Sequence, residues 1–154
     1  MRSVPIAENC RSRYMVRVRF GETDLMGVAH HSAYLLWFEA ARVEYLHRRG
    51  IDYASWAGRG VHMPVVEARL RYRRPARFDE RLVVDARLAE LTRVTVRFDY
   101  RVLRTEGHAR EELVAEGETL LACVDAGHSP RRIPPDVAAI LAGPETHPRE
   151  IDRV

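Results

Sequence analysis

HSAYLLWFEAARVEYLHRRG, residues 31–50, decides how this chain folds. Tyr34, Phe38, Ala41 and Tyr45 recur at i, i+4, i+7 and i+11, the period of one helix face. Leu35, Leu36, Trp37, Ala40, Val43 and Leu46 widen that stripe over most of the circumference. A helix this apolar is buried on several sides. Ser32 stands where a cap belongs, with His31 or Asp24 as alternatives. His47, Arg48 and Arg49 place positive charge on the last turn, and Gly50 supplies the stop. Glu39–Arg42 and Glu44–Arg48 are spaced for ion pairs on the helix surface.

On either side of this helix the period changes to two. YMVRVRF, residues 14–20, alternates Tyr14, Val16, Val18 and Phe20 with Arg17 and Arg19, which reads as a strand with one wet face. Downstream, four more strands follow. Their inward sets are Pro64, Val66, Ala68, Leu70 and Tyr72, then Leu82, Val84, Ala86 and Leu88, then Val94, Val96, Phe98, Tyr100 and Val102. The fourth lies in EELVAEGETLLACVD, residues 111–125, where Gly117 weakens the pattern. Short connections at 75–80, 90–92 and 105–110 predict that these four are antiparallel neighbours. HSPRRIPP leads into a short helix, DVAAIL, residues 136–141.

Residues 1–13 read as a flexible leader, 14–142 as a single domain and 143–154 as a frayed tail. The order is α+β: one strand, a long helix, then four strands. A single antiparallel sheet covers such a helix by curling around it. That layer leaves a sheet edge and a helix side open, which predicts pairing with a second copy.

At 154 residues the chain has the size of one ordinary domain. No apolar run approaches the ~20 residues of a membrane span. The first residues carry no apolar signal-peptide core. Cys10 and Cys123 are too far apart and too few for a disulfide framework or a metal site, so free thiols and a cytoplasmic setting are expected. All 25 basic residues are arginine, yet the net charge is only +3. That is too mild for nucleic-acid binding and compatible with an anionic small molecule. No G-x-S-x-G, Walker or dinucleotide motif is present.

The chemistry concentrates in GETDLMGVAHHSAY, residues 21–34. Asp24 precedes a buried helix, and Gly27 permits a tight bend between them. A helix N-terminus offers unpaired N–H groups suited to an oxyanion. A carboxylate facing the same point can attack a carbonyl or deprotonate water. The competing reading makes Asp24 a loop Asx-turn or a cap. His30 and His31 are adjacent, a poor arrangement for one metal, and no cluster completes such a site. Glu67, on a strand's wet face, reads as an acid offered to a neighbouring subunit or, the plainer reading, as a solvated strand position. Among the turn arginines, Arg73, Arg74 and Arg77 bracket Pro75, and Arg131 and Arg132 bracket a second turn. Such pairs grip phosphates or simply face solvent.

FGETDLMGVAHHSAYLLWFEAARVEYLHRRGID, residues 20–52, resembles the signature of the 4-hydroxybenzoyl-CoA thioesterase-like branch of the hotdog-fold superfamily. YRRPARFDERLVV, residues 72–84, and RRIPPDVAAIL, residues 131–141, are also similar, so the resemblance covers about 14–142. It implies a central helix wrapped by an antiparallel sheet of about five strands. It further implies a homodimer, often assembled into a homotetramer, with the active site at the dimer interface. Asp24 matches the catalytic aspartate, as nucleophile or general base. His31 opens the helix and its N–H polarises the thioester carbonyl, while Gly27 matches the bend that admits substrate. Met26, Val28, His30, Tyr34, Arg74 and Arg77 are the expected substrate-binding residues. The resemblance implies no metal and no cofactor, since CoA arrives as part of an acyl-CoA substrate. Glu22, Met26 and His30 depart from the common pattern, which bears on the acyl group. Rival readings are an acyl-carrier-protein thioesterase, a hotdog dehydratase and a non-catalytic acyl-CoA-binding protein. The dehydratase lacks its H-x-x-x-x-P-G motif here.

Overall fold

The computed structural model describes residues 2–105, 107 and 109–147. The elements are β1 (Arg11–Arg17), α1 (Ala33–His47), α2 (Tyr53–Gly58), β2 (Val65–Tyr72), β3 (Arg81–Leu91), β4 (Thr95–Arg104), β5 (Glu112–Ala122) and α3 (Pro135–Leu141). A turn of 3-10 helix, Phe20–Glu22, follows β1. The strands form one antiparallel sheet in the order β1-β3-β4-β5-β2, with α1 on its inner face.

Periodicity places the core faces of α1, β3 and β4 correctly. Tyr34, Phe38, Ala41 and Tyr45 are all at most 2% exposed. They meet Leu82, Val84 and Ala86 of β3 and Val96, Phe98, Tyr100 and Val102 of β4, which are equally buried. Phe38 stacks on Tyr100 with ring centroids 4.3 Å apart. Gly117 belongs to this contact. A Cβ there would lie 2.3 Å from the Arg69 carbonyl oxygen and 2.8 Å from the Phe38 ring. The residue that weakens the strand pattern is the one that lets α1 approach the sheet.

Four expectations are corrected. First, the strands after α1 are not all sequential neighbours: β2 pairs with β5 at the sheet edge, and β3 lies between β1 and β4. Residues 73–80 step across the intervening strands. Eight residues reach ~26 Å when extended, whereas three strand spacings need only ~14 Å. Arg73 and Arg74 N–H groups hold this crossing to the Val114 carbonyl, and Asp79 turns it at φ 66°.

Second, β2 has no buried face. Val65 and Val66 are 44% and 58% exposed, and the register slips between Val65 and Glu67. α1 packs closest to β1 and β3, at the other end of the sheet, and does not cover the edge strand. Leu35 and Leu36 of α1 also remain 41% and 57% exposed.

Third, the leader is packed where it is described. β1 begins at Arg11, the Val4 N–H donates to Leu91, and Cys10 is buried. The chain leaves the strand earlier than alternation predicts, so Phe20 stands 78% exposed on the 3-10 turn.

Fourth, the tail is docked as far as residue 147. Thr146 and His147 N–H groups donate to the Arg48 carbonyl, and Ser12 Oγ donates to Glu145. Arg49 donates to the Gly143 carbonyl and lies 3.4 Å over the Tyr45 ring. The Glu44–Arg48 pair is therefore buried beneath β1 and the tail instead of lying on the helix surface. Gly50 does end the helix, at φ +76°. Residues 148–154 of the expected tail lie outside the described residues.

Candidate active site

Residues 22–30 form a small hairpin between β1 and α1. Thr23 bridges Ala29, and the His30 N–H donates to the Glu22 carbonyl at 2.7 Å. Asp24 and Gly27 close the turn: Gly27 N–H donates to the Asp24 carbonyl at 3.0 Å, with Gly27 at φ +75°. A left-handed backbone is costly for any residue with a Cβ, which explains glycine here. Asp24 Oδ1 accepts the Met26 N–H at 2.8 Å, so the Asx-turn is real. Oδ2 has no hydrogen-bond partner among the described residues. One oxygen thus fixes the rotamer and leaves the other available for chemistry.

The hairpin returns the chain to the start of α1. His31 is anchored through its carbonyl, which accepts the Tyr72 hydroxyl at 2.8 Å. Its N–H has no acceptor among the described residues. Ser32 does not cap the helix: it has helical φ/ψ, and its hydroxyl pairs with His30 Nδ1 at 2.7 Å. His30 takes the Ser32 N–H through its Nδ1 at 3.2 Å and the Ala33 N–H through its carbonyl at 3.0 Å, which leaves the His31 N–H as the uncommitted donor beside the positive end of the helix. The His30 and His31 rings contact each other, with centroids 4.1 Å apart. Among the described residues no cluster of three His, Cys, Asp or Glu side chains could hold a metal ion.

The remaining candidates divide. Asp24 and Gly27 line a shallow depression with Phe20, Thr23, Leu25 and Phe78. Met26, 78% exposed, stands at the hairpin tip. Val28 bridges Arg77, which places Arg77 beside the hairpin. Arg74 is held away by an ion pair to Glu112 at 2.8 Å. Tyr34 lies under the site, buried and edge-on to Tyr72 at 5.1 Å. Burial pushes its hydroxyl pKa up.

Sequence reasoning missed what supports this geometry. Glu22 accepts the Trp37 indole N–H at 3.1 Å and the Arg19 N–H at 2.8 Å, with the Arg19 guanidinium on the same carboxylate. Burial alone would raise its pKa, but the Arg19 and Trp37 donors outweigh that and hold it below the usual value. Arg104 clamps the crossing segment, donating to Glu80, Glu112 and the Pro75 carbonyl. The i,i+3 spacing of Arg19 and Glu22 was a usable signal; nothing in the sequence ties either to Trp37.

Residues 18–141 match the thioesterase-like superfamily. The chain belongs to this superfamily. Thioesterase-like relatives include the acyl-CoA thioesterase YbgC of Haemophilus influenzae, 30% identical over 128 residues, covering 82% of this chain and 90% of that protein. The acyl-CoA thioester hydrolase YbgC of Escherichia coli O6:H1 is 29% identical over 128 residues, covering 82% and 92%. Among solved structures, protein TT1821 of Thermus thermophilus superposes with a TM-score of 0.77 at 46% identity, covering 84% of this chain and 96% of that one. A DHNA-CoA thioesterase of Staphylococcus aureus gives 0.74 at 29%, covering 79% and 80%. These likenesses identify the helix wrapped by a curved antiparallel sheet as the hotdog fold, and the chain as a thioester hydrolase. For a thioesterase-like chain the electrophile is a thioester carbonyl carbon, which calls for a nucleophile or base beside an oxyanion site.

Proposed function

We propose that this hydrolase cleaves acyl-CoA to the free acid and CoA at Asp24. The observation that carries the reading is a half-free Asp24 carboxylate on the hairpin that leads to an uncommitted His31 N–H just before α1. The His31 N–H donates a hydrogen bond to the developing oxyanion. As a general base, Asp24 takes a proton from water, whose oxygen adds to the carbonyl carbon. The C–S bond then breaks and the thiolate takes up the proton. As a nucleophile, Asp24 itself bonds to the carbonyl carbon and expels the thiolate, and water then hydrolyses the mixed anhydride. A single turnover in oxygen-18 water separates the routes. Label found in the Asp24 carboxylate supports the nucleophile; label found only in the product acid supports the base.

A homodimer fits the open surfaces. β2 offers an unpaired edge, and Val66 on that strand and Leu36 on α1 are both exposed. β2 runs from an apolar cavity at Val65 to Tyr72, which reaches the His31 carbonyl. Antiparallel pairing of two such edges sets the Tyr72 end of one against the Val65 end of the other. Each active site then receives the partner's cavity as the place for the acyl group. Two dimers form the expected homotetramer. Two free, buried cysteines fit a cytoplasmic setting, and no described helix is long and apolar enough to cross a membrane. Matched CoA and carrier-protein thioesters distinguish the carrier-protein alternative: a faster carrier-protein reaction overturns the CoA assignment.

A further inference from the structure

The cavity beside β2 holds a feature that simple hydrocarbon binding does not explain. It occupies about 380 Å³ between α1, α2 and the start of β2. Leu46, Trp56, Met63 and Phe98 give it apolar walls. Arg42 is also part of that lining, from the middle of α1. Its Nη1 donates to the Tyr100 hydroxyl at 3.0 Å, and that hydroxyl pairs with Thr119 Oγ1 at 2.7 Å. Tyr100 and Thr119 are 1% and 2% exposed, so the chain of bonds is rooted in the core. The expected pair with Glu39 does not form, and Arg42 makes no ion pair with any carboxylate of the described residues. Glu39, the one acid in the lining, is exposed.

A half-buried guanidinium has five donors and is charged at every working pH. Among the described residues one neutral hydroxyl is its hydrogen-bond partner. Held in place by Tyr100 and surrounded by apolar walls, it is organised to receive an anion. We propose that Arg42 is a specificity-determining residue that binds a carboxylate at the far end of the acyl group. The preferred substrate class is then ω-carboxyacyl thioesters, with the methylene chain against Trp56 and Met63. This rests on the Asp24 thioesterase reading, since the thioester end lies at the partner's Asp24.

The test compares adipoyl-CoA with hexanoyl-CoA, equal in chain length and differing in the terminal carboxylate. Wild type is expected to favour adipoyl-CoA in kcat/KM. Arg42→Ala lowers the adipoyl value by about 10- to 100-fold, the range for losing a charge-assisted bond, and leaves hexanoyl nearly unchanged. Arg42→Lys restores part of the preference. Glu39→Gln raises the adipoyl value by removing like charge. A wild-type preference for hexanoyl-CoA, or an equal loss on both substrates in Arg42→Ala, overturns the proposal. So does a loss of adipoyl activity in Glu39→Gln, which points to a hydroxyl read by both side chains. Binding of the same thioesters to Asp24→Asn, followed by tryptophan fluorescence, gives the ratio without turnover. If Asp24→Asn hydrolyses both thioesters like wild type, the Asp24 reading fails on its own, and the Arg42 ratio still stands or falls separately.

Discussion

The Tyr72 hydroxyl donates to the His31 carbonyl at 2.8 Å and so joins the end of the edge strand to the start of the central helix. His31 is thereby fixed from its carbonyl side while its N–H faces away uncommitted. Tyr72→Phe removes this tie and keeps the ring that meets Tyr34. The expected result is a kcat lower by roughly 3- to 10-fold with a small change in melting temperature, because a donor misplaced by a fraction of an ångström loses much of its effect. Steady-state kinetics and a thermal melt check it together.

Glu22 and Trp37 make the second tie, at 3.1 Å. Glu22→Gln weakens the bonds from Arg19 and Trp37, and about 1–3 kcal/mol of stability should be lost at pH 7. The pH dependence has a definite sign. The Glu22 pKa is held below its ordinary 4.5 in the folded protein. Its contribution is therefore complete above pH ~4.5 and disappears as the pH falls through the lower folded value. Denaturant titrations of wild type and variant should differ at pH 7 and converge in acid.

Gly117→Ala tests the approach of helix to sheet. The new methyl would meet the Arg69 carbonyl and the Phe38 ring. Overpacking of this kind costs about 1–3 kcal/mol, so the melting temperature should drop by roughly 3–10 °C. An unchanged melt would mean that β2 shifts freely relative to β5.

Glu145→Ala tests the docked tail. Glu145 accepts from Ser12 and lies 3.6 Å from the buried Arg48 guanidinium. Its loss leaves Arg48 with Glu44 as its carboxylate partner among the described residues. A loss of about 1–2 kcal/mol is expected, discounted because Glu145 is partly exposed. Chemical denaturation reads it directly.

The helix and the inner faces of β3 and β4 are legible in the sequence because burial imposes a period on each. Phe38 and Tyr100 are recognisable as core before any coordinate is known. Asp24 and Gly27 are legible for a local reason: turn chemistry is set by neighbouring residues. β2 misleads because its alternation, Val66 through Tyr72, suits a face that a single chain does not cover. Its separation from β3 is invisible because an eight-residue connection serves a neighbour or a crossing equally well. The Glu22–Trp37 tie, the Arg104 clamp and the Arg42 cavity join residues distant in the chain by bonds that leave no periodic trace. Arg74 and Arg77 look equivalent in sequence, yet one is paired to Glu112 and the other stands by Val28.

The most direct measurement is kcat/KM of Asp24→Asn on an acyl-CoA that wild type hydrolyses, with the variant's melting temperature recorded alongside. Asparagine keeps the acceptor for the Met26 N–H and removes the carboxylate. The expected result is a folded protein whose kcat/KM is lower by about 100-fold or more, the scale of a lost general base or nucleophile. A folded Asp24→Asn enzyme that turns over within a few-fold of wild type would contradict it.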